Sequence, residues 1–225
     1  MTEVVIPFLP RYEVSRTMVD GERAYATPEG NYYSVTTILS GSENNRGLQE
    51  WREGIGEKRA DEIVAAACWR GDKHHLNIEH LLKTGEEPEL NMITEGYWKS
   101  SRSFLDGITK PLLIEGAVWS PERYAGTLDC MAYTKEFGNN PVLCDWKTSD
   151  SKRNKQKIYN YGLQLAAYRE AANHVYKNMG FRCDHAQLVI AIPCHEAQIE
   201  TFNADELDQL YRHFLGRKNK FLSTK

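Results

Sequence analysis

Residues 142–149 read VLCDWKTS, and residues 126–134 read GTLDCMAYT. Both runs are apolar and rich in β-forming residues, each carries one aspartate (Asp145, Asp129), and the turn GNNP (138–141) separates them. That combination predicts two antiparallel strands. Period-two alternation puts Asp145 and Lys147 on one face and sends Cys144 and Trp146 into packing on the other. Pairing can bring the carboxylates of Asp129 and Asp145 to the same end of the sheet. Downstream, 158–179 has the spacing of a long amphipathic helix ending at Gly180, and 186–192 is an apolar strand. Strand, helix and strand in one sheet make a right-handed parallel crossover, whereas the preceding hairpins are antiparallel, so the central sheet is expected to be mixed and the fold α/β.

Working outward, 111–120 is a further strand, closed by the turn SPERY, 198–202 is a short one, and Asn203 is placed to cap a final helix. Upstream, 95–105 reads as a helix and TGEEPEL (84–90) as a loop. Between Leu48 and Leu82 the apolar period becomes helical, with Trp51, Ile55, Ile63, Val64, Ala67 and Cys68 in stripes. An interruption is expected at Gly71, with Asp72 capping a new helix that carries His75, Ile78, Glu79 and Leu82. Residues 1–40 read as short extended pieces: VVIPFL (4–9), a turn at Asp20-Gly21, 23–27, a PEGN turn (28–31) and YYSVTTIL (32–39). The expected division is an N-terminal β-plus-helical lobe over 1–108 and a βββαβ core with a C-terminal helix over 109–225, together one compact domain.

The chain has 225 residues, 41% hydrophobic and 26% charged, enough to bury about 70% of its unfolded surface without staples. That excludes a disordered or disulfide-scaffolded chain. The net charge of −3 argues against a protein that coats DNA nonspecifically. Charge is nevertheless uneven: Lys147, Lys152, Arg153, Lys155 and Lys157 face only Asp150 between 147 and 157. No run is apolar enough for a membrane helix and the first residues do not read as a secretory leader, so a cytoplasmic location without membrane attachment is expected. Five cysteines without a CxxC pair point to reduced, packed thiols.

Asp145, flanked by Leu143 and Trp146, is costly to bury unless paired or metal-bound. Two clustered carboxylates form the hard oxygen site that Mg²⁺ or Mn²⁺ prefers. The triplet alone reads equally as a surface Asp–Lys pair on an edge strand. In RGDKHHLNIE (70–79), His75 and Glu79 share a helical face; on the long helix Gln164 and Tyr168 do. By themselves these read as structure: a satisfied histidine on an amphipathic helix, and a Gln–Tyr pair on a helix surface. A zinc site from His74, His75, Glu79 and His80 is crowded.

Taken in order, RGDKHHLNIE, the acidic Glu115, GTLD (126–129), DWKTS (145–149) and GLQLAAY (162–168) resemble the PD-(D/E)xK nuclease superfamily, in its RecB-like branch with the Cas4-type and mitochondrial genome maintenance exonuclease proteins. The resemblance runs from about Val35 to Tyr168, with softer matches at SVTTIL (34–39) and at Leu48 with Trp51. It implies a mixed central sheet of the PD-(D/E)xK type. It implies Asp129, Asp145 and Lys147 as catalytic residues, and His75, Asp129, Asp145 and the Trp146 carbonyl as ligands of Mg²⁺ or Mn²⁺. Gln164 and Tyr168 would lie beside the DNA strand, with Arg70, Glu79 and Glu115 supporting. Lys152, Arg153, Lys155 and Lys157 would grip phosphates, and Tyr159 or Tyr161 would stack on bases or pack in the core.

The sequence departs from the branch at Asp72, where Thr is usual, in lacking a Pro before Asp129, and in having Asp145 rather than Glu. Cas4-type and AddB-type relatives hold an iron–sulfur cluster on four cysteines; here only Cys183 and Cys194 follow Tyr168, and no cluster is expected. The implied activity is a metal-dependent DNA exonuclease preferring single-stranded ends, with the helical region 48–105 covering the site. Replication or recombination proteins are the expected partners, in a bacterium or, for a phage member, in the host cytoplasm. A structure-specific endonuclease and a non-catalytic nucleic-acid-binding protein are the alternatives.

Overall fold

A computed structural model describes residues 9–43 and 46–225, so most of the VVIPFL segment lies outside the described residues. Among the described residues eight strands form one mixed sheet: β1 (Ser15–Val19), β2 (Glu22–Thr27), β3 (Gly30–Ser34), β4 (Ile108–Ser120), β5 (Tyr124–Thr134), β6 (Val142–Thr148), β7 (His185–Ala191) and β8 (Gln198–Phe202). The order is β1-β2-β3-β5-β6-β7-β8, with β4 paired to β5. As expected from the sequence, β4, β5 and β6 are consecutive antiparallel strands, and β6 runs parallel to β7. The crossover between them is α5 (Lys155–Val175), capped by the Asn154 side chain accepting from Lys157 N–H. A 3-10 turn then leads to Gly180, whose left-handed φ of 68° stops it. Asn203 starts α6 (Ala204–Leu222) with a capping box to Glu206.

Two apolar layers flank the sheet. One lies under α5, α6 and α1 (Val35–Gly41) and contains Leu128, Met131, Leu143, Leu165, Leu188 and Phe214. The other lies under α3 (Glu57–Thr84) and α4 (Glu95–Leu105) and contains Ile78, Trp98, Cys130, Cys144, Trp146 and Val189. Cys144 and Trp146 therefore do point away from Asp145 and Lys147. The first three strands continue the same sheet, because β3 pairs in parallel with the start of β5 at Tyr33↔Tyr124 and Ser34↔Ala125. Among the described residues no helix is long and apolar enough to cross a membrane.

Two local expectations are corrected. VTTIL is helical, not extended: Ser34 ends β3, its hydroxyl accepts from Thr37 N–H, and the α1 turn it opens buries Val35 and Ile38. Second, α3 runs unbroken through Gly71 and Asp72. A helical glycine costs only about 1 kcal/mol relative to alanine, and packing on both sides of it exceeds that. Arg70 lies over the Tyr97 ring at 5.1 Å, while His74 and Ile78 are buried. The stripe at Ile63 and Val64, by contrast, is not core; both are about two-fifths exposed. No residue of α2 (Arg46–Ile55) is buried.

Candidate active site

The site is made by a fork in the sheet. β4 occupies one edge of β5 along its length, so β3 and β6 must share the other. β3 holds Tyr124 and Ala125, β6 holds only Cys130 to Ala132, and residues 126–129 between them have no strand partner on that edge. Where β6 leaves β5, the Asp129 side chain replaces the missing ladder bond: its carboxylate accepts from Trp146 N–H at 2.8 Å. Asp129 is thus tied to the strand carrying Asp145 and Lys147.

Backbone irregularity aims the acids. Glu115, on β4 opposite Asp129, has a left-handed φ of 49°, a conformation that costs a residue with a Cβ about 1–2 kcal/mol. At the same level the alternation of β5 slips by one: Leu128 and Met131, three apart, face the α5 layer, while Cys130 and Ala132 face the α3 layer. Strain of this kind persists where surrounding structure enforces it and concentrates at functional sites. Its result is that His75, Glu115 and Asp129 each offer a ligand atom within 4.8 Å of the others. His75 Nδ1 lies 3.6 Å from Asp129 Oδ2 and 3.9 Å from Glu115 Oε1. Its other ring nitrogen is held by the Trp146 carbonyl at 2.9 Å. Burial alone would lower the His75 pKa, but Asp129 and Glu115 outweigh it and raise it to about 9.

Asp145 and Lys147 form the second half. β6 is an interior strand and Asp145 is 2% exposed, so the edge-strand surface pair is excluded. Asp145 ion-pairs with the Lys147 ammonium through Oδ2, and Oδ1 accepts from Gln164 Nε2 at 3.1 Å. Desolvation pushes the Asp145 carboxyl up to about 6, against the pull of Lys147. Desolvation also works against the ammonium, yet Asp145 and Asp129 hold its pKa above the ordinary lysine value. Lys147 is therefore a cation at neutral pH. Its ammonium also donates to the Trp146 carbonyl and sits 5.5 Å from the Tyr161 ring.

The remaining sequence-selected residues separate into groups. Tyr168 does not reach a surface where DNA could touch it: the ring is buried and braces the fork against Gly126, where an added Cβ would meet it at 2.6 Å. Arg70 pairs with Asp150 at 3.4 Å, and Tyr97 donates to the same carboxylate, tying α3 and α4 to the loop after β6. Glu79 pairs with Lys83 on the helix surface. The basic stretch does not act as one strip. Lys157 shares the helical face of Tyr161 and Gln164, whereas Arg153 and Lys155 line a separate groove with Phe202 and His213. Lys152 is exposed in the loop before α5. Of the two tyrosines, Tyr161 packs against the core, while Tyr159 is exposed and its hydroxyl lies 2.9 Å from His213 Nδ1.

Of the histidines considered together, only His75 faces the carboxylates. His74 is buried on the other side, its Nε2 3.1 Å from Ser101 Oγ. Burial and then the His75 charge push its pKa down to about 3. The unfolded chain titrates His74 near 6.5, so as pH falls the unfolded state takes a proton that the native state refuses. Stability is therefore lost progressively from pH 6.5 downward, by about 2 kcal/mol at pH 5 from this group. Between pH 7 and 5 the wild type should lose about 2 kcal/mol relative to His74→Asn in urea-derived stability, because the opposing titrations of His75 and Asp145, whose folded pKa values are raised, are common to both proteins. Equal losses would mean that His74 is protonated in the native state.

Glu115 enters the ligand group directly, where the sequence suggested only support. Its signal was an acid inside an apolar strand, but no rule of alternation places it on Asp129. The set itself, two carboxylates and an imidazole beside a main-chain carbonyl, suits a divalent cation with oxygen preference such as Mn²⁺ or Mg²⁺. Scanned against protein-family models the chain has no match, and a search of curated proteins finds no match either.

Proposed function

We propose that the protein is a Mg²⁺- or Mn²⁺-dependent deoxyribonuclease with a PD-(D/E)xK-type centre, acting as an exonuclease on single-stranded DNA ends. The observation that carries the reading is the fork: it brings ligand atoms of His75, Glu115 and Asp129 within 4.8 Å of one another, next to a buried Asp145–Lys147 pair. A protein that only bound nucleic acid would gain nothing from carboxylates concentrated where a phosphate must approach. Recognition of single-stranded ends, and a role in replication, recombination or repair, follow from the resemblance of the ordered motifs.

His75, Glu115 and Asp129 would hold the cation, with Asp145 and the Trp146 carbonyl adjacent. A divalent cation bound there supplies Lewis-acid polarisation of a phosphoryl oxygen and acidifies water. The chain's own groups do the rest. Lys147, about one-fifth exposed and protonated, places a fixed positive charge where the pentacoordinate phosphorus accumulates negative charge. Asp145 and Gln164 fix the lysine from behind, and Asp129, bound to Trp146 N–H, fixes the strand on which it sits.

A linear single-stranded oligonucleotide labelled separately at each end, with Mg²⁺, Mn²⁺ or EDTA, tests the reading beside a matched circle. Metal-dependent loss of the linear strand with the circle intact is the expected result, and the label lost first gives the polarity. Equal cutting of circles would replace the exonuclease by an endonuclease. Binding without cleavage would leave a nucleic-acid-binding scaffold.

A further inference from the structure

A cleft of about 960 Å³ with Glu115 in its lining lies between the segment 11–16 and the sheet at β2, β4 and β5. Its walls include Arg11, Tyr12, Glu13, Arg16 and Thr127. Arg11 and Arg16 are exposed, and neither forms an ion pair with a described residue. Tyr12 is just over one-third exposed, but its ring is not loose: it meets Trp119 edge-on at 5.3 Å and Tyr176 at 5.9 Å. Of the two acids on the walls, Glu115 belongs to the cation site, where its charge would be matched, which leaves Glu13 alone against two arginines. Free cations beside a preoriented aromatic face are the parts from which single-stranded nucleic acid sites are built, the first for phosphates and the second for a base.

We propose that this cleft carries the single strand on one side of the scissile phosphate, with Arg11 and Arg16 on backbone phosphates and Tyr12 stacked on a base. The assignment rests on the nuclease reading and adds its substrate path. It also separates two surfaces: the groove containing Arg153 and Lys155 lies between α5 and α6 and contains no residue of the cation site. The exposed N-terminal segment, not the basic stretch after β6, is then the main grip on the strand leaving the site.

Fluorescence anisotropy of a labelled oligothymidylate, titrated in Ca²⁺ at several salt concentrations, tests the path. Wild type, Arg11→Ala/Arg16→Ala, Arg11→Lys/Arg16→Lys, Tyr12→Ala and Arg153→Ala/Lys155→Ala are compared, with thermal midpoints recorded for each. Loss of two phosphate contacts should weaken binding about tenfold and flatten the log–log salt slope by roughly 1.4. The double lysine variant should retain most of the slope. Tyr12→Ala should weaken binding without changing the slope, since stacking releases no counterions. Unchanged affinity in the first variant, or a larger loss in Arg153→Ala/Lys155→Ala, would overturn the proposal. Cleavage in Mn²⁺ is read in parallel. A wild type that binds through Arg11 and Arg16 but never cuts would sink the hydrolytic reading alone, and one that cuts with the arginines dispensable would sink the cleft alone.

Discussion

Lys147→Met is expected to lower phosphodiester hydrolysis by about 10²–10³-fold, the usual cost of removing one preorganised electrostatic contact to a transition state. Its effect on KM should be small, because the charge matters most where negative charge develops at phosphorus. The same substitution leaves Asp145 buried with only Gln164 for a partner. Removing one member of a buried ion pair costs about 3–5 kcal/mol when the other stays charged, but Asp145 can escape by taking a proton. Its native pKa, about 6 with Lys147 present, must rise further without it. The native state then binds a proton that the unfolded chain, titrating near 3.8, does not, so the variant recovers stability as pH falls through the native pKa. Urea unfolding should accordingly show a large deficit at pH 8 and a smaller one at pH 5. Pairing Lys147→Met with Asp145→Leu should restore stability at pH 8 without restoring activity, which separates the catalytic loss from the folding loss. Full activity in the single variant would remove Lys147 from the chemistry.

The second large effect is expected from Asp129→Asn. Asparagine can still accept from Trp146 N–H, so the bond that replaces the missing ladder contact survives. What is lost is the negative charge facing His75 and Glu115. Losing an outer-shell partner typically costs 10–100-fold in metal affinity; removal of a ligand charge should exceed about 100-fold. Calorimetric titration with Mn²⁺ in the absence of DNA reads this directly. In the wild type, Mn²⁺ at 100 times its Kd should add about 2.7 kcal/mol to unfolding stability, and that increment should vanish in the variant. Glu115→Gln should behave alike, which distinguishes the cluster seen in the fold from a ligand set without Glu115. Undiminished Mn²⁺ binding in both variants would place the cation elsewhere.

Much of the scaffold was legible because the elements near the site follow simple periods. The hairpin turn at 138–141, the helical spacing before Gly180 and the cap at Asn203 are local signals, and tertiary packing agrees with each. The helix at 35–41 reads as a strand in the sequence because Val, Thr and Ile favour strands; burial of Val35 and Ile38 in the core and the Ser34 cap override that preference. Gly71 and Asp72 imitate a helix boundary in every local respect. They are helical because contacts at Arg70, His74 and Ile78 hold the turns on both sides.

The sequence by itself determined that Asp145 and Lys147 share a face, that Trp146 and Cys144 occupy the opposite one, and that the sheet is mixed. Period-two alternation and the handedness of a crossover suffice for those. Only the tertiary structure decided that Glu115 joins His75 and Asp129, that Tyr168 is buried beneath the fork, and that Arg11, Tyr12 and Arg16 line a cleft that also contains Glu115. Each depends on where β3 and β6 divide the edge of β5, on a left-handed residue inside a strand and on a one-residue slip in alternation. Those are properties of strand pairing between distant segments, and no period within a single segment encodes them.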